Sequence, residues 1–119
     1  MFPLIRNLTD IQAVPTSHGQ GKKKVLLAPG ESQAPLTQIA ITHLQKGEFI
    51  QPHAHSTMAE FFFILKGKLQ LKVEGEEHVL QKGDFVQVPP GKVHSLIAET
   101  DCELQTIGCK VLLPQKLFN

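Results

Sequence analysis

The chain has 119 residues, with 12 basic and 11 acidic side chains and a formal net charge of +1. This balance argues against a protein that binds nucleic acid or an anionic membrane surface, because both need an excess of basic residues. The length is that of one ordinary domain, whose core is large enough to fold without disulfides.

The first part of the chain, residues 1–23, mixes prolines and glycines with no clear periodic pattern. We predict an irregular N-terminal arm or edge strand here, followed by a single barrel domain over residues 24–119.

The only basic run is Lys22-Lys23-Lys24, which follows Gly21. A run of like charges beside glycine is typical of a solvated loop, and we interpret it so.

Three features of the chain predict a cytoplasmic protein. Arg6 and Asp10 fall where a signal peptide needs an apolar core, and no stretch approaches the ~18 apolar residues of a membrane span. Cys102 and Cys109 are fewer than a secreted disulfide scaffold of this size usually carries. We expect both to be reduced thiols.

From Lys24 onward, short runs with β-strand patterns alternate with turns that contain glycine or proline. Turns about 8–12 residues apart are typical of a sandwich or barrel, and no window has a sustained helical period. The predicted strands cover residues 25–28, 36–44, 49–53, 60–65, 69–73, 78–80, 85–88, 93–98 and 102–113. We therefore predict an all-β fold.

Three histidines and one glutamate in this region form a candidate metal site. His53 and His55 are two residues apart, so on a strand both would face the same side. Glu60 begins the next predicted strand, and His94 lies far along the chain. Three neutral imidazoles and a carboxylate suit a borderline divalent ion such as Fe, Mn, Ni, Cu or Zn. An octahedral ion would keep two open positions for water, dioxygen or a chelating substrate.

The other histidines, taken singly, are expected to be polar surface residues or hydrogen-bonded core residues. His18 lies in a glycine-rich loop, and His78 lies beside a charged hairpin. His43 is less certain, because its alternation with Ile39 and Ile41 could place it inside the barrel near the metal. It is the one candidate catalytic residue; the catalytic residues are otherwise unknown.

At these residues the sequence resembles the cupin superfamily. The first cupin motif, G-x5-H-x-H-x3,4-E-x6-G, is complete from Gly47 to Gly67. The second motif, G-x5-P-x-G-x2-H-x3-N, runs from Gly83 to Ala98, where alanine replaces the final asparagine. The resemblance implies a small RmlC-like jelly-roll barrel, or double-stranded β-helix, with a metal inside. By the same resemblance the metal ligands are His53, His55, Glu60 and His94.

The strand alternation around these ligands predicts the lining of a substrate pocket. Residues two apart from Glu60 or His53 on the same strand should point the same way. The predicted pocket residues are Phe49, Gln51, Met58, Phe62, Ile64, Phe85, Gln87 and Leu96. This lining is mostly apolar and places no lysine or arginine inward. It favours a small apolar or aromatic chelating ligand over a sugar nucleotide or phosphate.

The opposite face of the Glu60 strand carries Phe61, Phe63 and Leu65. A strand that is apolar on both faces is covered on both faces. The N-terminal arm, with Phe2 among its apolar residues, could pack over it. The alternative is a second copy of the chain, and we favour a homodimer.

Three functions remain open for such a chain. The first is a metal-dependent enzyme acting on a small molecule, as a dioxygenase-like oxidoreductase or an isomerase, since fold and ligands do not choose between reactions. Isomerase chemistry is less favoured, because tyrosine is absent and no pocket acid or base besides His43 is evident. The second is a non-catalytic module that binds or senses a ligand. The third is a sugar-binding cupin with a structural metal. In each case the expected partner is a small molecule, and neither nucleic acid nor a membrane.

Overall fold

The computed structural model describes residues 3–111, which form ten β-strands and a single turn of 3₁₀ helix over Leu8–Asp10. The strands are β1 Val14–Pro15, β2 Lys22–Leu27, β3 Leu36–Leu44, β4 Phe49–His53, β5 Met58–Lys66, β6 Lys68–Val73, β7 Glu76–Gln81, β8 Phe85–Val88, β9 His94–Ala98 and β10 Cys102–Lys110. The all-β prediction is confirmed, and three strands have the predicted bounds. The last two residues of the strand predicted over 102–113 lie outside the described residues.

The strands form two antiparallel sheets that pack face to face. One sheet has six strands in the order β1-β2-β3-β10-β5-β8, and the other has four in the order β4-β9-β6-β7. Side chains from both sheets fill the core between them; the largest that are fully buried are Leu44, Ile64, Leu69, Leu71 and Leu104. This is the jelly-roll arrangement that the sequence predicted. Within residues 3–111, no helix has the length and apolar character that a membrane crossing requires.

The hairpin between β5 and β6 depends on Gly67. Its φ of +84° lies in the left-handed region, which costs side-chain-bearing residues energy. A Cβ atom on Gly67 would also collide with the backbone carbonyl oxygen of Asp101. The first cupin motif therefore ends in glycine because backbone conformation and close packing both exclude a side chain there.

Strand β4 contains a bulge that decides which of its residues face inward. Ile50 pairs with Leu96 and His53 pairs with His94 in β9. Between these two pairs β4 therefore has one residue more than β9. An extra residue in one strand of a pair reverses the alternation of side chains beyond it. As a result Ile50 and His53 both face the space between the sheets.

The N-terminal arm is joined to both sheets. Its strand β1 pairs with β2. The backbone N–H of Gln51 donates to the His18 carbonyl at 2.8 Å, and the backbone N–H of Gln20 donates to the Phe49 carbonyl at 2.9 Å. The arm thus pairs with the edge of β4. The predicted boundary at residue 23 falls inside β2, because pairing with β3 extends that strand back to Lys22.

The outer face of the six-stranded sheet is apolar around β5 and β8. The rings of Phe61 and Phe85 stack with their centroids 6.1 Å apart, and Phe63 and Phe85 are 39% and 61% exposed. The described part of the N-terminal arm does not cover them, since Ile5 is 80% exposed and Arg6 donates to the Leu26 carbonyl of β2. Phe2 lies outside the described residues.

Candidate metal centre

The structure brings His53, His55, Glu60 and His94 together between the two sheets. One potential ligand atom from each residue lies within 4.8 Å of the other three. His53 ends β4, His94 begins β9 directly opposite it, and Glu60 faces them from β5 in the other sheet. Three strands and one short loop therefore bring these four residues, which are distant in the sequence, close together.

Three imidazole nitrogens surround a single carboxylate oxygen. The Nε2 atoms of His94, His55 and His53 lie 2.7, 3.2 and 3.5 Å from Glu60 Oε1. His55 Nε2 is buried and has no hydrogen bond with acceptable geometry despite that separation. A buried polar atom without a partner is costly, so this nitrogen is oriented for something other than Glu60 alone.

Backbone carbonyls fix how two of these rings present their nitrogens. His53 Nδ1 lies 2.9 Å from the Gln51 carbonyl, and His94 Nδ1 lies 2.9 Å from the Lys92 carbonyl. Because a carbonyl only accepts, each Nδ1 carries the hydrogen, and in a neutral ring Nε2 then offers its lone pair. These Nε2 lone pairs and the negative carboxylate oxygen repel one another unless protons or a cation lie between them. The cluster therefore fits a divalent metal ion, with the outer hydrogen bonds that ligating histidines commonly make.

Without a metal, the same contacts shift the ionisation of the cluster. Burial alone would raise the pKa of the Glu60 carboxyl, but hydrogen bonds from His53 and His94 and the nearby histidine charges outweigh it and lower the pKa to about 2. The hydrogen bond with Glu60 raises the pKa of His53, against the opposing effect of burial. Glu60 is thus an anion at any physiological pH, as a metal ligand must be.

A cavity of about 280 Å³ lies beside the cluster. Of the predicted pocket residues, Met58, Phe62 and Leu96 line it. Ile64 faces the same way as Phe62 but is buried deeper, in the core. The cavity and the core are therefore two parts of one space between the sheets.

The other four predicted pocket residues lie on outer surfaces. Phe49 and Gln51 point outward because the bulge in β4 breaks the alternation that was counted back from His53. Phe85 and Gln87 point outward because β8 pairs with β5 in a register that places them opposite Phe63 and Phe61. Val86 and Val88, opposite the inward Phe62 and Glu60, take the inner positions instead.

His43, the candidate catalytic residue, is also on the outside. In β3 the inward positions include Thr42 and Leu44, so the residue between them faces away from the cavity. The His43 side chain is 57% exposed, and its Nε2 lies 3.2 Å from the Glu103 carboxylate. This placement removes His43 as an acid or base at the metal centre.

His18 is a site residue that the sequence did not reveal. Its ring stacks on His53 with centroids 4.1 Å apart and planes 15° apart, and it lines the cavity. Burial lowers the pKa of His18, as do the neighbouring histidines. The sequence feature near His18 that relates to this placement is the following Gly19. A Cβ at Gly19 would collide with the Phe49 carbonyl oxygen, so the close approach of the arm to β4 needs glycine.

Lys23 is the second residue that was missed, and the loop interpretation of the three lysines is wrong. Lys23 pairs with Thr42 in β3, and both line the cavity. Lys23 Nζ donates to Gln38 Oε1 at 3.2 Å. Burial lowers the pKa of Lys23, partly offset by the Glu60 charge. The expectation that no lysine faces inward is therefore also wrong.

Residues 40–108 match the sequence profile of the cupin domain family, which is more than half of the chain. The chain therefore belongs to the cupin domain family.

Two curated proteins are similar to this chain over part of its length. It is 34% identical over 70 residues to quercetin 2,3-dioxygenase of Bacillus subtilis (strain 168), covering 59% of this chain but 21% of that protein. It is 28% identical over 87 residues to the tetracenomycin polyketide synthase protein TcmJ of Streptomyces glaucescens, covering 72% of this chain and 58% of that one. The chain thus spans only part of the length of both relatives.

Solved structures share the fold. A protein from Thermotoga maritima, described as a predicted oxalate decarboxylase, superposes with a TM-score of 0.83 at 20% identity, covering 91% of this chain and all of that one. An RmlC-like cupin from Shewanella frigidimarina superposes with a TM-score of 0.72 at 20% identity, covering 90% of each chain. At this identity the likeness concerns the fold alone.

Proposed function

We propose that the protein is a metal-dependent enzyme acting on a small molecule that chelates a divalent ion held by His53, His55, Glu60 and His94. The observation that carries this proposal is the convergence of three Nε2 atoms on one Glu60 oxygen at the wall of a cavity. Four protein donors leave positions open in an octahedral ion, the arrangement of catalytic rather than closed structural sites.

Dioxygenase-like oxidation is the reaction class we favour. The partial likeness to a quercetin 2,3-dioxygenase supports it. A bound redox-active ion would supply activation of dioxygen and polarisation of substrate oxygens. The protein's own part is to hold the substrate and exclude water: Met58, Phe62 and Leu96 form apolar wall beside the cluster, and the His18 ring covers one side of His53.

A ligand-binding module without turnover is the second candidate. Among the described cavity residues Glu60 is the only carboxylate, and it is held by three histidines. Proton-transfer chemistry such as isomerisation usually needs a separate acid or base, and only His18 and Lys23 are available. This favours oxidation or simple binding over isomerisation.

Metal analysis of protein purified without chelator, followed by oxygen uptake with Fe(II) and small chelating substrates, tests the proposal. We expect about one divalent ion per chain, lost in His53→Ala and His94→Ala and retained in His78→Ala, a matched change of an exposed histidine. Oxygen consumption that needs both metal and substrate would identify an oxidase or oxygenase. A wild-type protein that binds no stoichiometric metal would overturn the proposal, while metal and ligand binding without turnover would favour the second candidate.

We also propose that the protein is a homodimer through the outer face formed by Phe61, Phe63 and Phe85. Exposing large aromatic side chains to water is unfavourable, since burial of one is worth roughly 1.5–3 kcal/mol. The exposure of Phe63 and Phe85 and the position of the arm on β2 support a second copy as the cover. The cytoplasmic location stays a prediction from the sequence.

A further inference from the structure

One lysine of the three in β2 belongs to the cavity. Lys23 faces inward with its partner Thr42, whereas Lys22 is exposed on the outer side and Lys24 Nζ donates to the Leu8 carbonyl of the arm. Alternation along the strand therefore selects a single ammonium group for the interior. Its placement follows from the β2–β3 register and needs no special loop.

The Lys23 charge has no anionic partner of its own. Within residues 3–111, no carboxylate lies within 4.0 Å of Lys23 Nζ, and the hydrogen-bonding partner of this nitrogen is the neutral Gln38 amide oxygen. Lys23 as a whole is half-buried. A charge partly withdrawn from water without a counterion is costly, and a bound anion would offset that cost.

The rest of the cavity adds to this positive charge once a divalent ion is present. Glu60 supplies the single negative charge among the described lining residues, and it belongs to the metal cluster. A divalent ion, Glu60 and Lys23 together leave an excess of about two positive charges at the cavity. An anionic ligand would neutralise that excess, and a neutral one would not.

We propose that Lys23 binds a carboxylate group of the molecule that chelates the metal, so that the ligand is a small organic acid. This inference rests on the proposed function, which supplies the metal, and it goes beyond it by naming the ligand class. The cavity volume of about 280 Å³ lies at the lower end of the roughly 300–1,000 Å³ of typical ligand pockets, which suits a compact acid. It narrows the small apolar or aromatic chelating ligand that the sequence favoured to one that carries a carboxylate.

Calorimetric titration of the metal-loaded protein tests this inference. The probes are catechol, which chelates without a carboxylate, and 2,3- and 3,4-dihydroxybenzoate, which add one at two different positions. We expect wild type to bind at least one of the two acids about tenfold or more tightly than catechol, the effect of one charge-assisted hydrogen bond. Lys23→Met should lose this preference while keeping its affinity for catechol.

Two further variants keep the test interpretable. Lys22→Met removes a neighbouring charge on the outer side and should keep the preference, and Lys23→Arg keeps the positive charge and should retain most of it. Metal stoichiometry and thermal melting check that each variant is folded and loaded. A preference that survives in Lys23→Met, or that wild type lacks for both acids, would overturn this inference alone. If neither catechol nor the acids bind to metal-loaded protein, the proposed function itself fails.

Discussion

His53 lies directly opposite His94 in the register of β4 and β9, and their imidazole rings are 4.3 Å apart. Each ring contacts the backbone carbonyl two residues before it through Nδ1. The two strands thus set the direction of both Nε2 lone pairs before any ion arrives, which lowers the cost of ordering the ligands. Preorganisation of this kind strengthens metal binding mainly by removing that cost.

Metal stabilisation should grow as pH rises from 6 to 8. The pKa of His53 is raised in the metal-free protein, so its ion pair with Glu60 stabilises the apo fold below pH 6.5 and is lost as pH rises through the raised value. Metal binding needs the neutral imidazole, so protons compete with the ion at low pH. We expect a larger gain in Tm on adding Ni²⁺ at pH 8 than at pH 6, measured by thermal melting.

The control for this experiment is His53→Ala with His94→Ala in the same chain, for which added Ni²⁺ should leave Tm nearly unchanged at both pH values. A gain in the wild type that is equal at the two pH values, or larger at pH 6, would contradict the assignment of these histidines as the protonated competitors of the metal.

Gly67→Ala should destabilise the fold more than Gly75→Ala. Both glycines have positive φ, +84° and +82°, so both changes carry the left-handed penalty of roughly 1–2 kcal/mol. Only at Gly67 would the new Cβ meet the Asp101 carbonyl oxygen, while nothing lies within 4 Å at Gly75. Urea unfolding should therefore give a loss of at least about 2 kcal/mol for Gly67→Ala and about 1 kcal/mol for Gly75→Ala. Equal losses would mean that packing at Gly67 adds nothing.

His18→Ala should speed the release of metal without changing its stoichiometry. The stacked His18 ring covers His53, and such contacts are worth about 0.5–1.5 kcal/mol, which corresponds to roughly 2–10-fold in rate. Transfer of the metal to a coloured chelator measures the rate. His18→Phe should restore slow release by keeping a ring in place, and His78→Ala should behave as wild type. Unchanged release in His18→Ala would show that the arm does not shield the centre.

Phe85→Glu should convert a dimer into a monomer. A charge on the apolar outer face would be buried without a partner on association. Val79→Glu is the matched control, because Val79 is 54% exposed on β7 of the other sheet. Light scattering at micromolar concentration should show a dimer for wild type and Val79→Glu. A monomeric wild type would contradict the proposed interface.

Much of the fold could be predicted because turn glycines and alternating patterns act locally. Strands β3, β4 and β8 have the bounds expected from the sequence, and the spacing of the three histidines and Glu60 predicted a cluster that the structure brings together. The errors arose where a distant strand sets the outcome. The bulge that turns Gln51 outward exists only relative to β9, and the inward position of Lys23 exists only relative to β3. Neither pairing can be inferred from the local sequence pattern of one strand.

The arm that carries His18 also supplies Thr16 and Ser17 to the cavity wall. All three lie outside the segment matched by the family profile, residues 40–108, and the hydrogen bonds that hold the arm to β4 come from the His18 carbonyl and from Gln20, not from the side chains of these three residues. Their side chains are therefore replaceable without loss of the hydrogen bonds that dock the arm. Two cupins with the same four metal ligands could therefore bind different molecules if their arm residues differ. Ligand selectivity could then evolve in a segment that the shared motifs do not include.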